Sequence, residues 1–301
     1  MSGFVDGAVV AGIDGSASAV RAAVWAGAEA VRRGRPLRLV QVYALPQVSA
    51  PVAFGTHDQV RAGLAERAGE WLADAKAAVL AEHPGLAVTT AAREWSPVTA
   101  LVQESQHADL VVLGSRGLGG FTGLLVGSTA VAVAAHAHCP IVVVRGRSPH
   151  DPPPGTGPVL VGADGSADSD AAIAFACEEA RLRGTSLIAV HTWSDVLADG
   201  MLRPHPLQED PVEIAAAERA KLAEQVVGWQ RKYPDLAIEF EVVRGRPVRT
   251  LLERGEDAQL IVVGCRGRGG FTGMLLGSTS QALIAHSPCP VAVVRPQRTG
   301  T

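Results

Sequence analysis

Short runs of β-branched and aliphatic residues recur along the chain, separated by longer stretches with helical spacing. Residues 8–13, 37–42, 110–113 and 141–144 are apolar at consecutive positions, the pattern of strands buried on both faces of a parallel sheet. Residues 86–91 are less apolar and are expected nearer a sheet edge. Between the first two runs, residues 17–33 read as a helix, with Ser16 placed as N-cap and Gly34 as the stop. A longer helix over 57–82 carries Val60, Leu64, Trp71, Leu72, Ala75 and Val79 on one face. Ser96 precedes a helix over 97–106 with proline in its first turn, and a helix over 128–137 closes the series.

The pattern then starts again. An offset of 150 residues places Gly12-Ile-Asp-Gly-Ser16 on Gly162-Ala-Asp-Gly-Ser166. It also aligns the glycine-rich stretch 114–128 with 264–278, and the Cys-Pro-led apolar run at 139–145 with that at 289–295. One offset serves throughout, so the halves are related domains, and the period is far too long for a solenoid repeat. The second half predicts strands at 159–163, 187–192, 238–243, 260–263 and 291–294. Its helices run to Arg183, over about 212–232, from Pro247 and from Ser278. Prolines and glycines at 145–158 can sustain neither a helix nor an inner strand. The expected domains are therefore 1–146 and 158–301, with a linker at 147–157.

Alternation of buried strands and helices predicts an α/β protein made of two tandem, doubly wound, five-stranded parallel-sheet domains. These are Rossmann-like, with strand order 3-2-1-4-5. In that order strands one and four are neighbours where the winding reverses, and ligands lie beyond the carboxyl ends of such strands. Asp14 and the loop from Gly114 follow those two strands, so both converge on one crevice, as do Asp164 and the loop from Gly264.

The loop 114–128 holds six glycines and runs into a helix start. Glycine allows close approach of a ligand to the main chain, and the helix start offers unpaired N–H groups and the positive dipole end. Ser128 and Thr129 add hydroxyls, and Arg116 adds a positive charge. Phosphate oxygens suit such a site, whereas a lone glycine cluster could equally be a flexible surface loop. Two copies with the same spacing argue against idle flexibility. The loop is not a Walker P-loop, since Gly-x-x-x-x-Gly-Lys-Ser/Thr is absent, and no Gly-x-Gly-x-x-Gly follows strand one. Asp14 and Asp164 suit two compatible roles: capping the next helix through an Asx turn, or binding a ribose hydroxyl or a phosphate-bound metal.

Composition narrows the field. The 301 residues are 47% hydrophobic and 19% charged, enough core for two folded domains. A net charge of −3 argues against nucleic acid held by a basic face. No apolar run reaches membrane-spanning length and no secretory signal opens the chain, so a cytoplasmic protein without a membrane partner is expected. The four cysteines lack a CxxC spacing, and Cys139 and Cys289 are expected to be buried and apolar in role. His136-x-His138-Cys139 looks metal-like, but its second copy has Pro288 where the first has His138, so no metal site is expected there. No nucleophile elbow, Walker lysine or metal-binding carboxylate pair stands beside the loops, and no catalytic residue is assigned.

Gly114-x-x-Gly117, nine residues, then Gly127-Ser128 resembles the nucleotide signature of the universal stress protein family; Gly264-x-x-Gly267, nine residues, then Gly277-Ser278 repeats it. The likeness spans both halves and points to the tandem-domain, ATP-binding members known from actinobacteria. It implies two ATP sites per chain, with Mg2+ as a companion of the phosphates. Asp14 and Asp164, flanked by Gly12, Ile13 and Gly15 and by Ala163 and Gly165, would meet the ribose or the metal. The main chains of Val42 and Thr192 would meet adenine. Gly114, Arg116, Gly117, Gly127, Ser128 and Thr129, with Gly264, Arg266, Gly267, Gly277, Ser278, Thr279 and Ser280, would hold ribose and phosphates.

The resemblance further implies a nucleotide-dependent regulator in stress or dormancy responses, with an unknown protein partner. It also implies halves that pack as a pseudo-twofold pair and assemble into a homodimer. A slow ATPase or nucleotide-transfer enzyme, and a structural scaffold that binds ATP incidentally, are the alternatives. The copies differ at Gln41 against His191, Leu118 against Arg268, and Ala130 against Ser280. The extra hydroxyl and charge predict that the second site is the tighter for a triphosphate. The divergent stretches 44–56 and 193–210 are expected as lids or partner contacts, or simply as variable surface loops.

Overall fold

The computed structural model describes residues 3–45, 57–117, 127–148, 151–193, 211–267 and 275–296. The chain divides into two compact units, Met1–Val144 and Arg145–Thr301. In the first, strands β1 (Val9–Ile13), β2 (Leu37–Tyr43), β3 (Val88–Glu94), β4 (Leu110–Gly114) and β5 (Ile141–Val144) alternate with helices. These are α1 (Ala17–Arg33), α2 (His57–Glu82), α3 (Pro97–Glu104) and α4 (Ser128–His136). The sheet order is β3-β2-β1-β4-β5, every pair within it parallel. The second unit repeats the plan with β6 (Val159–Gly162), β7 (Leu187–Trp193), β8 (Ile238–Arg244), β9 (Leu260–Gly264) and β10 (Val291–Val294). Its helices are α5 (Ala167–Arg183), α6 (Pro211–Lys232), α7 (Pro247–Gly255) and α8 (Ser278–His286), and its order is β8-β7-β6-β9-β10. Both match the predicted 3-2-1-4-5 winding.

The central strands are apolar throughout because both of their faces are covered. Val9, Val111, Val112 and Val142 in the first unit, and Val159, Val161, Ile261 and Val262 in the second, have no exposed surface. Each such side chain contributes about 1.5–3 kcal/mol by leaving water. Helix α1 lies on β1 and β4 through Ala19, Ala22, Ala23, Ala26 and Ala30, which are at most 3% exposed. Small side chains there let the helix backbone sit close to the sheet. Helix α1 also meets α2, and α3 meets α4, so the helices form two layers as the doubly wound plan requires.

Helix ends follow the local sequence. Ser16 accepts the Ala19 N–H at 3.1 Å, and Gly34 ends α1 in the left-handed region at φ 63°. Strand β3 starts at Val88 and not at the predicted 86, because the turn that follows α2 still holds Leu86, whose N–H bonds to the His83 carbonyl. Its position at the edge explains its polar outer residues, as expected. The buried stripe of α2 is Ala68, Leu72, Ala75 and Val79; Val60, Leu64 and Trp71 are only half-buried. Among the described residues, no helix is long and apolar enough to cross a membrane.

The first unit encloses an ion pair that the second lacks. Arg38 on β2, 1% exposed, donates through Nε to Glu104 Oε2 at 2.9 Å, and Arg93 reaches Glu104 Oε1 at 3.1 Å. The corresponding positions in the second unit are Ile188, Arg254 and Val243. Glu104→Gln removes the charge that compensates Arg38 and is expected to destabilise the first unit by about 3–5 kcal/mol. Urea unfolding should resolve this as an earlier transition, while Arg249→Gln, which affects an exposed pair with Glu253, should move unfolding by under about 1 kcal/mol.

Candidate functional site

Each unit gathers its predicted residues at the carboxyl ends of its two central strands. Asp14 follows β1 directly, and its Oδ1 accepts the Ser16 N–H at 3.0 Å, the Asx turn foreseen from the sequence. Gly15 takes φ +83°, and a side chain there would run into the indole of Trp71 on α2. A Cβ on Gly12 would come within 2.6 Å of Leu113 Cδ2, so this glycine lets the strand ends pack together. Ile13, the last residue of β1, is 4% exposed.

The loop after β4 returns toward that turn. A Cβ on Gly114 would lie 2.8–3.0 Å from Ser18 and the Ala19 nitrogen, so the chain passes the start of α1 with no room for a side chain. Three residues later, a Cβ on Gly117 would collide with Asp14 Oδ2. The loop is pinned to α1 by the Ser16 hydroxyl, which donates to the Arg116 carbonyl at 3.1 Å. Its far end is tied back where the Gly127 N–H bonds to the Ser115 carbonyl at 3.0 Å. Gly127 then N-caps α4 without a side-chain hydrogen bond, leaving Ser128 exposed and Thr129 half-buried at the helix start. The guanidinium of Arg116 is exposed.

The second unit reproduces this arrangement. Asp164 Oδ1 accepts from the Ser166 N–H at 3.0 Å and from the Ser166 hydroxyl at 2.6 Å. Gly165 has φ +77°, and a Cβ on Gly267 would meet Asp164 Oδ2. Gly277 bonds to the Cys265 carbonyl at 2.8 Å and caps α8 without a side chain, with Ser278 exposed and Thr279 half-buried. Ala163, 4% exposed, donates its N–H to the Val190 carbonyl at 2.9 Å.

Strand register places a polar main-chain edge at each site. Leu37 and Tyr43 bond toward β3, through the Leu37 N–H to Ala87 and the Trp95 N–H to Tyr43. Strand alternation therefore turns Val42 toward β1, whose ladder with β2 ends at the pair Ile13 and Gln41. Thr192 stands likewise beyond the end of β6, since Leu187 and Trp193 bond toward β8. Beside Val42, Gln41 is 3% exposed; its Nε2 donates to the Val42 carbonyl at 3.3 Å, while its Oε1 is buried with no hydrogen-bond partner among the described residues. His191 in the second unit is better satisfied, with Nδ1 2.7 Å from the Ala163 carbonyl and Nε2 3.0 Å from Glu218.

Some expectations meet a different arrangement. Ser280, expected to add a hydroxyl for phosphate, is 3% exposed and donates to the Gly264 carbonyl at 2.7 Å. That hydroxyl braces the strand end and faces away from solvent. The Leu118 and Arg268 difference lies outside the described residues, as do the centres of both glycine-rich loops and 46–56 and 194–210 of the two divergent stretches. Sequence reasoning also passed over Ser18, Asp168 and Ser169. Ser18 and Asp168 accept the N–H of Arg116 and Arg266, and the Ser169 hydroxyl oxygen accepts the Asp164 N–H at 3.1 Å. The offset that aligned the halves already showed a hydroxyl at 18 opposite a carboxylate at 168.

The cysteines are not nucleophiles in this setting. Burial pushes the thiols of Cys139 and Cys289 up to about 12 and that of Cys177 up to about 11, and it also raises Cys265. All four are free thiols, Cys139 half-buried and the others buried. Among the described residues no group of three or more His, Cys, Asp or Glu side chains could hold a metal ion.

Comparison with known proteins agrees with this fold and with its duplication. The model of the universal stress protein family matches residues 7–145 and again 156–295. A universal stress protein of Mycolicibacterium smegmatis is 40% identical over 294 residues, covering 96% of this chain and 97% of its own. One from Mycobacterium tuberculosis is 38% identical over 301 residues, covering 95% and 96%. The crystal structure of a universal stress protein from Archaeoglobus fulgidus superposes with a TM-score of 0.70 at 23% identity, covering 97% of this chain and 99% of that one.

The raised thiols carry a prediction. A thiolate reacts and a thiol does not, so at pH 8 the native chain should react with a thiol reagent far more slowly than unfolded cysteine. All four cysteines should react at once in denaturant, where their pKa returns to about 9. Because the folded values are raised, the stability the thiols contribute is complete below pH 9 and is lost as pH rises toward 12.

Proposed function

The chain belongs to the universal stress protein family, with two copies of the domain, and from that premise we propose that each unit binds one ATP at the crevice between its central strands. The observation that carries this reading is the contact between Gly117 and Asp14 and its repeat between Gly267 and Asp164. At both places the absence of a Cβ lets a loop of main-chain amides close onto a carboxylate. A carboxylate accepts hydrogen bonds from the paired hydroxyls of a ribose. The amides and the uncapped start of α4 or α8 suit the negative phosphates. The main-chain edge of Val42 or Thr192 supplies the donor and acceptor pattern that a purine base needs, without a side chain of fixed charge.

Mg2+ arriving with the triphosphate fits the same donors: Asp14 or Asp164 would share it with phosphate oxygens, where it would neutralise phosphate charge. The protein then acts as a nucleotide-dependent regulator in stress or dormancy responses. Occupancy can change partner choice only if the nucleotide binds one conformation better than another. Sustained turnover is not part of the proposal. ADP production by the purified chain should stay at background, and production abolished in a Gly117→Ala/Gly267→Ala double variant would make the protein an ATPase instead.

Mass spectrometry of nucleotide released from freshly purified protein is expected to show adenine nucleotide at up to two per chain. A side chain at position 117 must displace the Asp14 carboxylate, so Gly117→Ala should weaken the first site by about 10–100-fold, the equivalent of about 1–3 kcal/mol of overpacking. Gly267→Ala should do the same at the second. Full-affinity binding of two nucleotides by the double variant would refute the site assignment.

A further inference from the structure

The duplicated chain makes each unit a control for the other, and the two crevices differ in the charge that lies against the start of the loop. In the first, Ser18 is buried and its neutral hydroxyl accepts the Arg116 main-chain N–H at 3.4 Å. In the second, the matching residue is Asp168, 7% exposed, whose Oδ2 accepts the Arg266 main-chain N–H at 3.0 Å. The same oxygen lies 3.6 Å from Nε of the Arg266 side chain. A Cβ on Gly264 would come within 2.9 Å of Asp168 Cβ and its carbonyl group, so the residue that bears this carboxylate lies directly against the loop's first residue.

A phosphate chain approaching the second loop therefore meets a fixed negative charge that the first loop lacks. Being buried, that charge is screened by water and salt less than a surface carboxylate would be. Asp168 also compensates the guanidinium of Arg266, whereas Arg116 has no carboxylate partner among the described residues. The other difference near the helix start does not offset this, because the Ser280 hydroxyl is turned to the Gly264 carbonyl. Each added phosphate charge should then strengthen binding less in the second crevice than in the first. This is the reverse of what the extra hydroxyl and the extra arginine suggested from the sequence.

Building on the nucleotide reading above, we propose that the residue at 18 and 168 sets phosphate-charge selectivity: the first site favours the triphosphate, and Asp168 makes the second comparatively tolerant of nucleotides with fewer phosphates. One chain would then respond to the ratio of adenine nucleotides as well as to their total amount.

The test uses the full-length chain with one site weakened at a time, Gly267→Ala leaving the first and Gly117→Ala the second at full affinity. Calorimetric titration with ATP and with AMP, without divalent cations at physiological ionic strength, gives an AMP-to-ATP ratio of Kd for each site. A unit charge at a buried position against the phosphate-binding loop should separate the two ratios about tenfold, the first site having the larger. Asp168→Asn keeps an oxygen to accept the Arg266 N–H while removing the charge, and it should raise the second site's ratio toward the first's. Ser18→Asp should lower the first site's ratio in return, so a folding defect in either variant leaves the other as a check. Equal ratios at the two sites, or ratios unmoved by both exchanges, would overturn the selectivity proposal while leaving nucleotide binding intact. Failure of both single-site proteins to bind either nucleotide would overturn the binding reading and this inference with it.

Discussion

Everything at the two crevices depends on how closely a loop can approach a carboxylate. Asp14 and Asp164 are held in place by the turn that starts α1 or α5, each accepting the N–H of the serine two residues on. The glycine loop reaches them only because Gly117 and Gly267 carry no side chain. With a Cβ there, the carboxylate would have to be displaced from beneath the loop. The tie from Gly127 to Ser115, and from Gly277 to Cys265, shows that the loop's entry and exit are fixed together. A binding site made of main chain needs this kind of preorganisation, since amides that must first be ordered bind weakly.

The sheet supplies the rest of that rigidity. Two adjacent parallel strands end at the same level, and the buried valines and leucines on both of their faces leave them no freedom to shift. Close packing of alanines beneath α1 brings the helix start, and with it Ser16, within reach of Arg116. The site is thus an extension of core packing: the crevice keeps its shape because the strands below cannot move independently of it.

Duplication has kept this geometry while releasing other positions. The buried Arg38–Glu104 pair of the first unit gives way to half-buried Ile188 and exposed Arg254, whose guanidinium pairs with Glu241 instead, so no buried charge is left uncompensated when both partners change. At the crevices the drift has consequences for chemistry. Gln41 leaves Oε1 buried without a partner among the described residues, where His191 makes two polar contacts, and the neutral Ser18 stands opposite the charged Asp168. Two sites that share a motif need not share a ligand preference.

The sequence by itself determined the winding of each half. Strand periodicity, the capping serine at 16, the terminating glycine at 34 and the repeat offset are local signals, and local signals survive without knowledge of what packs against them. It also brought out the aspartates and glycines of the crevice, because their spacing recurs. Strand β3 slid from its expected bounds, and the first turns of α2 proved only half-buried, since edge position and partner contacts decide such limits. Most of all, the direction of a side chain was invisible: Ser280 looked like a phosphate ligand and turned out to brace a strand end, while Asp168 looked like an ordinary first-turn acid and lies under the loop. Residues a hundred positions apart meet there, and only the folded chain brings an oxygen at 168 to an amide at 266.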